Sequence, residues 1–136
     1  MKILIVVDMQ KDFISGPLGT AEARAIVPYV AEKAKNTPRE NLFVTLDTHQ
    51  PNYMETNEGR HLPVPHCIEG TEGHALDNAI AAAVDGIPAS RIIRKPTFGS
   101  VALPDMLRAL PEPPTEIELV GASSIDVRAL HLGWSI

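Results

Sequence analysis

Apolar positions in this chain alternate between unbroken short runs and helically spaced sets. Ile3-Leu4-Ile5-Val6-Val7 is continuously apolar and mostly β-branched, which suits a strand covered on both faces as in a parallel sheet. Shorter runs recur at Leu42-Phe43-Val44-Thr45-Leu46, at Arg91-Ile92-Ile93-Arg94 and at Ile117-Glu118-Leu119-Val120 ahead of Gly121, so the pattern predicts four strands. Between the first two, Thr20 is placed to cap a helix carrying Ala23, Ile26, Val27 and Val30 at helical spacing and closing near Asn36, before Pro38. Leu76, Ile80 and Val84 predict a second helix after Gly73. Leu103, Leu107 and Leu110 predict a shorter one started by Pro104. Ser123 or Ser124 can cap a last helix through Val127, Leu130 and His131. Strand and helix in alternation predict an α/β fold, a three-layer α/β/α Rossmann-like arrangement with helices packed on a parallel sheet. Ligands of such sheets bind outside the carboxyl ends of the strands, where Asp8, Asp47, Lys95 and Gly121 all fall.

Composition narrows the class without changing this picture. With 136 residues, 44% hydrophobic and 21% charged, the chain reads as one globular domain over residues 1–136. Pro111, Pro113 and Pro114 make a stiff connector and not a linker between domains. The net charge of −5 is modest and the twelve Lys and Arg are scattered, which argues against nucleic acid or an anionic membrane surface as partner. No window approaches the roughly 18 apolar residues of a membrane span. The apolar stretch before Asp8 is too short for a signal peptide. A single cysteine, Cys67, excludes an internal disulfide, and a cytoplasmic location is the default expectation.

The chemistry-bearing residues cluster around those strand ends. Asp47 and His49 stand two apart just past a strand, so both side chains face one point if the stretch stays extended. His66 comes from a later loop stiffened by Pro63 and Pro65. Two imidazoles and one carboxylate that leave open positions suit zinc, iron or manganese, with zinc the usual choice. An isolated Asp-x-His pair more often caps a turn with its histidine in solvent, so the spacing alone leaves both readings standing. Asp8, likewise, can simply cap the following loop, and Lys95 can be an ordinary surface lysine. His61 and His74 are expected to be solvated, and Cys67 to be a small buried residue.

Longer matches decide between these readings. Asp8-Met9-Gln10-x-Asp12-Phe13, Asp47-Thr48-His49, Pro65-His66-Cys67-Ile68-Glu69-Gly70-Thr71-Glu72-Gly73 and Lys95 before Pro96-Thr97-Phe98-Gly99-Ser100 together resemble the isochorismatase-like cysteine hydrolases. The resemblance is strongest to their nicotinamidase and pyrazinamidase branch and runs from Lys2 to about Gly121. It implies a divalent metal, most often zinc, held by Asp47, His49 and His66, with Asp8 and Lys95 as catalytic residues and Phe13 as an aromatic wall for the substrate. The implied reaction turns a small carboxamide such as nicotinamide into its acid plus ammonia. A thiol attacks an amide only as thiolate, so a base must take its proton and a cation must favour the anion. In the family the aspartate and the lysine supply these, and backbone N–H groups hold the oxyanion.

The family's cysteine follows a Val-Gly pair like Val120-Gly121, and counting along from there puts Val127 in its place. Ser123, Ser124 and Asp126 lie nearby, but a serine would need its own base within reach. An impaired hydrolase is therefore expected. The resemblance also implies further strands and helices, so a C-terminally shortened sheet of about four strands is expected. Its exposed edge would favour a homo-oligomer. Relatives usually place a tryptophan before the last metal histidine where this chain has Leu62-Pro63-Val64-Pro65, which points to a different carboxamide. Two alternatives remain: a non-catalytic metal-binding or subunit-interaction module, and a vinyl-ether hydrolase of the isochorismatase type, which the complete ligand set disfavours.

Overall fold

A computed structural model describes residues 2–95 and 102–122. Its elements run β1 (Lys2–Val7), α1 (Lys11–Ile14), α2 (Ala21–Lys35), β2 (Leu42–Asp47), α3 (Asn57–His61), α4 (Asn78–Ala83), β3 (Ile92–Lys95), α5 (Ala102–Arg108) and β4 (Glu116–Gly121). The strands form one parallel sheet in the order β3-β2-β1-β4. The two inner strands explain the unbroken apolar runs. Successive side chains of β1 point to opposite faces, and both faces are covered. Leu4 and Val6 join Val30, Ala34, Val44 and Ile80 in one core, while Ile3, Ile5 and Val7 join Phe43, Ile93, Leu103 and Leu107 in the other. Each such fully buried aliphatic side chain contributes about 1.5–3 kcal/mol of transfer free energy. α2 and α4 cover the first face and α5 borders the second, so the chain crosses the sheet between β3 and β4. This is the predicted α/β architecture with helices on a parallel sheet.

Local signals hold in most places. Thr20 Oγ1 accepts the Ala23 N–H at 3.0 Å and starts α2, which closes before Asn36. The helix predicted after Gly73 begins later and is shorter, because Asp77 caps it by accepting from the Ala79 and Ile80 N–H groups. Leu76 sits ahead of it, bridged in antiparallel fashion to Gln10. Leu110 falls beyond the end of α5. The one-turn helices α1 and α3 have no periodic apolar signal, since four- and five-residue helices are too short to show one. The helix expected after Ser123 or Ser124, with Asp126, Val127, Leu130 and His131, lies outside the described residues, as do Pro96-Thr97-Phe98-Gly99-Ser100. Among the described residues no helix is long and apolar enough to cross a membrane.

Candidate functional site

Parallel pairing brings three charged residues to one end of the sheet. Asp47 closes β2 and pairs in register with Lys95, which closes β3, while Asp8 follows β1 directly. Asp8 adopts φ 53°, a left-handed conformation that turns the chain out of the strand. Its N–H donates to the Thr45 carbonyl at 3.1 Å. Its carboxylate accepts from Thr45 Oγ1 at 2.7 Å and from Lys95 Nζ at 2.6 Å. Both members of this ion pair are 1% exposed. Burial pushes the Asp8 carboxyl above its ordinary value, although the Lys95 charge opposes it.

Beside that pair sits a second polar cluster. His49 Nε2 lies 3.0 Å from Asp47 Oδ2, and His66 Nε2 lies 3.4 Å from the same oxygen without making a hydrogen bond. One ligand atom from each of Asp47, His49 and His66 falls within 4.8 Å of the others, and all three residues are buried. Burial alone would raise the Asp47 carboxyl, but the two histidines and the Lys95 ammonium, 4.0 Å from Oδ1, outweigh it and hold it at about 2. Burial also works against a charged His66, yet the Asp47 carboxylate and the Val64 carbonyl raise its pKa.

The donor set fits a cation. His66 Nδ1 is 2.7 Å from the Val64 carbonyl, which can only accept, so Nδ1 carries a proton. That leaves Nε2 as a bare lone pair directed at a carboxylate in neutral imidazole. Asp47 Oδ1 and His66 Nε2 are both buried without a hydrogen-bond partner among the described residues. Orphaned acceptors of this kind are costly unless something positive meets them. A metal ion would satisfy them, and a histidine whose other nitrogen donates to a carbonyl is the usual ligand arrangement.

The protein brings in the histidines through the loop of residues 48–77. His49 N–H donates to the Cys67 carbonyl at 3.0 Å and the Glu69 N–H to the His49 carbonyl at 2.8 Å, a parallel bridge that folds His66 back beside His49. Phe13 is buried with its ring edge-on to His66, 5.4 Å between centroids. Thus the structure brings together Asp8, Lys95, Asp47, His49, His66 and Phe13. His61 is exposed as expected and Cys67 is buried. His74 is a correction: it is only 8% exposed, because its ring contacts Thr48 Oγ1 at 2.9 Å and its carbonyl accepts from Gln10.

Two neighbours escaped the sequence reading. Tyr53 is buried against His49 and His66 at 4.5 and 5.0 Å, with its hydroxyl donating to the Leu62 carbonyl. Glu58 Oε2 lies 3.9 Å from His49 Nδ1, and its Oε1 is buried without a partner among the described residues. Burial and the Asp47 charge raise its carboxyl against the pull of the histidines. Neither stands in a spaced motif, so only folding of the loop identifies them.

The family model described as the Isochorismatase domain matches residues 2–125. Among solved structures, an N-carbamoylsarcosine amidase from Thermoplasma acidophilum is 26% identical with a TM-score of 0.72, covering 96% of this chain and 73% of that one. A nicotinamidase from Bacillus subtilis is 25% identical with a TM-score of 0.71, covering 88% and 70%. A pyrazinamidase of Pyrococcus horikoshii in complex with zinc shares the fold at 24% identity and a TM-score of 0.65, covering 90% and 71%. No curated protein matches the chain.

Proposed function

This chain belongs to the isochorismatase family, and on that premise we propose that it is a metal-assisted hydrolase of a small carboxamide, nicotinamidase-like, with its turnover impaired by loss of the thiol nucleophile. The observation that carries the proposal is the buried Asp47-His49-His66 group set directly beside the Asp8–Lys95 pair. In this reading Asp47, His49 and His66 hold a divalent metal, zinc by preference for two imidazoles and a carboxylate. When bound, the ion supplies a Lewis-acidic point that orients the substrate's ring. Phe13, edge-on to His66, walls that ring. Asp8 is the proton acceptor: burial raises its carboxyl toward the range where it can both take and return a proton. The Lys95 ammonium, 2.6 Å away, favours the anion formed when a nucleophile loses its proton.

The nucleophile is where this chain departs. Its single cysteine, Cys67, is fully buried with Sγ 4.0 Å from the Gly73 carbonyl, so it serves packing. That observation favours a second reading, a non-catalytic metal-binding module. Assembly into a homo-oligomer belongs to the same proposal, on the ground that β3 and β4 are the outer strands of the sheet among the described residues; a monomer in sedimentation removes it.

Zinc titration and ammonia release from nicotinamide test the readings together. Stoichiometric zinc binding lost in His49→Ala and His66→Ala supports the metal centre, and absence of binding refutes it. Ammonia release gained on Val127→Cys supports an impaired hydrolase, whereas zinc binding with no release from that variant favours the module. Turnover that survives loss of both Asp8 and Lys95 refutes the assigned roles.

A further inference from the structure

Gln10 and Asp12 belong to the matched opening motif but touch none of the reacting groups assigned above. Gln10 is fully buried, and both polar atoms of its amide are hydrogen-bonded. Its Oε1 accepts the Asp47 N–H at 2.9 Å, and its Nε2 donates to the Asp47 carbonyl at 2.8 Å and to the His74 carbonyl at 2.8 Å. One side chain therefore grips both backbone polar groups of Asp47, the N–H and the carbonyl, which fixes the backbone from which that carboxylate projects. Asp12 does the corresponding task on the other side. Its Oδ2 accepts the Cys67 N–H at 2.7 Å, directly after His66.

That second grip falls where the backbone needs it. Cys67 has φ 49°, a left-handed conformation that costs a residue with a Cβ about 1 kcal/mol or more. Gly73 leaves the room: a Cβ there would collide with the Asp12 carboxylate. The segment carrying both arms is itself tied down, with Lys11 N–H on the Ala75 carbonyl and Asp77 N–H on the Met9 carbonyl, both at 2.9 Å. Between the arms lie two ligand atoms that make no hydrogen bond of their own. Asp47 Oδ1 and His66 Nε2 are buried without hydrogen bonds among the described residues, so their placement rests on the backbone that carries them.

We propose that Gln10 and Asp12 are positioning residues that act as a two-armed brace, Gln10 holding Asp47 and Asp12 holding the His66-Cys67 peptide, so that a divalent cation meets preset ligands. The inference rests on the metal reading above. Residues that orient ligands from behind typically govern metal affinity by about 10–100-fold.

The test is cobalt(II) titration of the wild type, Gln10→Met, Asp12→Ala and Asp12→Asn, followed by the visible spectrum of the bound ion. Gln10→Met and Asp12→Ala are expected to weaken binding about tenfold or more and to shift the spectrum. Asp12→Asn keeps an oxygen acceptor for Cys67 and is expected to recover most of the affinity. Folded variants with wild-type affinity and spectrum overturn the brace, since a merely structural role would lower only the melting temperature. Should the truncating variants not fold, Gly73→Ala, which displaces the carboxylate without removing it, is expected to weaken cobalt binding, and unchanged binding overturns the proposal. A wild type that binds no cobalt refutes the metal reading. Amide hydrogen exchange of the metal-free protein then decides the brace: faster exchange at Cys67 in Asp12→Ala and at Asp47 in Gln10→Met upholds it, and unchanged exchange overturns it.

Discussion

Two lysine–carboxylate pairs of nearly equal length sit toward opposite ends of the same sheet. Lys95 lies 2.6 Å from Asp8 at the carboxyl ends of the strands, and Lys33 lies 2.7 Å from Glu118 toward the amino ends. The second pair lines an open cleft of about 470 Å³ with Lys2 and Tyr29, well away from the metal-type cluster. Their electrostatic outcomes are opposite. Asp8 is raised because burial dominates, whereas Glu118 is lowered because its hydrogen bond to Lys33 dominates. Distance is thus a poor guide to what a pair does. Access of water decides whether the carboxylate is stabilised by its partner or merely kept from neutralising itself.

The sharpest way to break this comparison is to remove one partner from each pair. Lys95→Met is expected to cost roughly 3–5 kcal/mol in urea unfolding, because it strips the cation from a buried carboxylate, and adding Asp8→Asn should recover much of the loss. Lys33→Met should leave the urea midpoint almost unchanged. Equal losses at the two sites would defeat the contrast.

Metal addition separates the ends next. Zinc at about 100 times its dissociation constant should stabilise the wild type by about 2.7 kcal/mol and His66→Ala not at all, read from thermal melts. Substituting Lys33 or Glu118 should leave that increment intact.

The pH dependence sharpens the contrast within the buried end. Asp47 is held at about 2, below the ordinary 3.8, so its contribution is present above pH 3.8 and is lost as pH falls toward 2. The difference corresponds to roughly 2 kcal/mol, and Asp47→Asn should flatten the stability curve across that window. Asp8 runs the other way. Its raised carboxyl favours the folded state at low pH, and that contribution fades as pH climbs above 3.8. Glu118 behaves like Asp47 in sign, present above 4.5 and lost on acidification. Being partly exposed, its effect should be the smallest and should vanish in about 0.5 M salt, as melts of Glu118→Gln at low and high salt would show.

The strands were legible because a parallel sheet covered on both faces imposes unbroken apolar runs, and β1 and β2 obey that rule closely. The edge strands carry weaker patterns, since more of their side chains reach solvent, and their bounds moved by a residue or so. The helix expected from Leu76 started late because a cap at Asp77 outranked apolar spacing. Grouping of Asp47 with His49 followed from two residues on one extended stretch. Their meeting with His66, Asp8 and Lys95 came instead from motif likeness and from strand ends converging.

What the sequence by itself determined, then, was the alternation of strand and helix and the residue types collected at the strand ends, since hydrophobic period and capping are local properties. Only the tertiary structure decided the burial of His74, the approach of Tyr53 and Glu58 to the histidines, and the grip of Gln10 and Asp12 on the ligand backbones. The Gln10, Asp12 and His74 contacts join residues far apart in the chain, whereas Tyr53 and Glu58 meet His49 from nearby in sequence, and all of them depend on how a thirty-residue loop (residues 48–77) closes. No local pattern encodes that closure. It is set by backbone bridges at His49–Ile68 and Gln10–Leu76, whose hydrogen bonds are indifferent to the side chains they align.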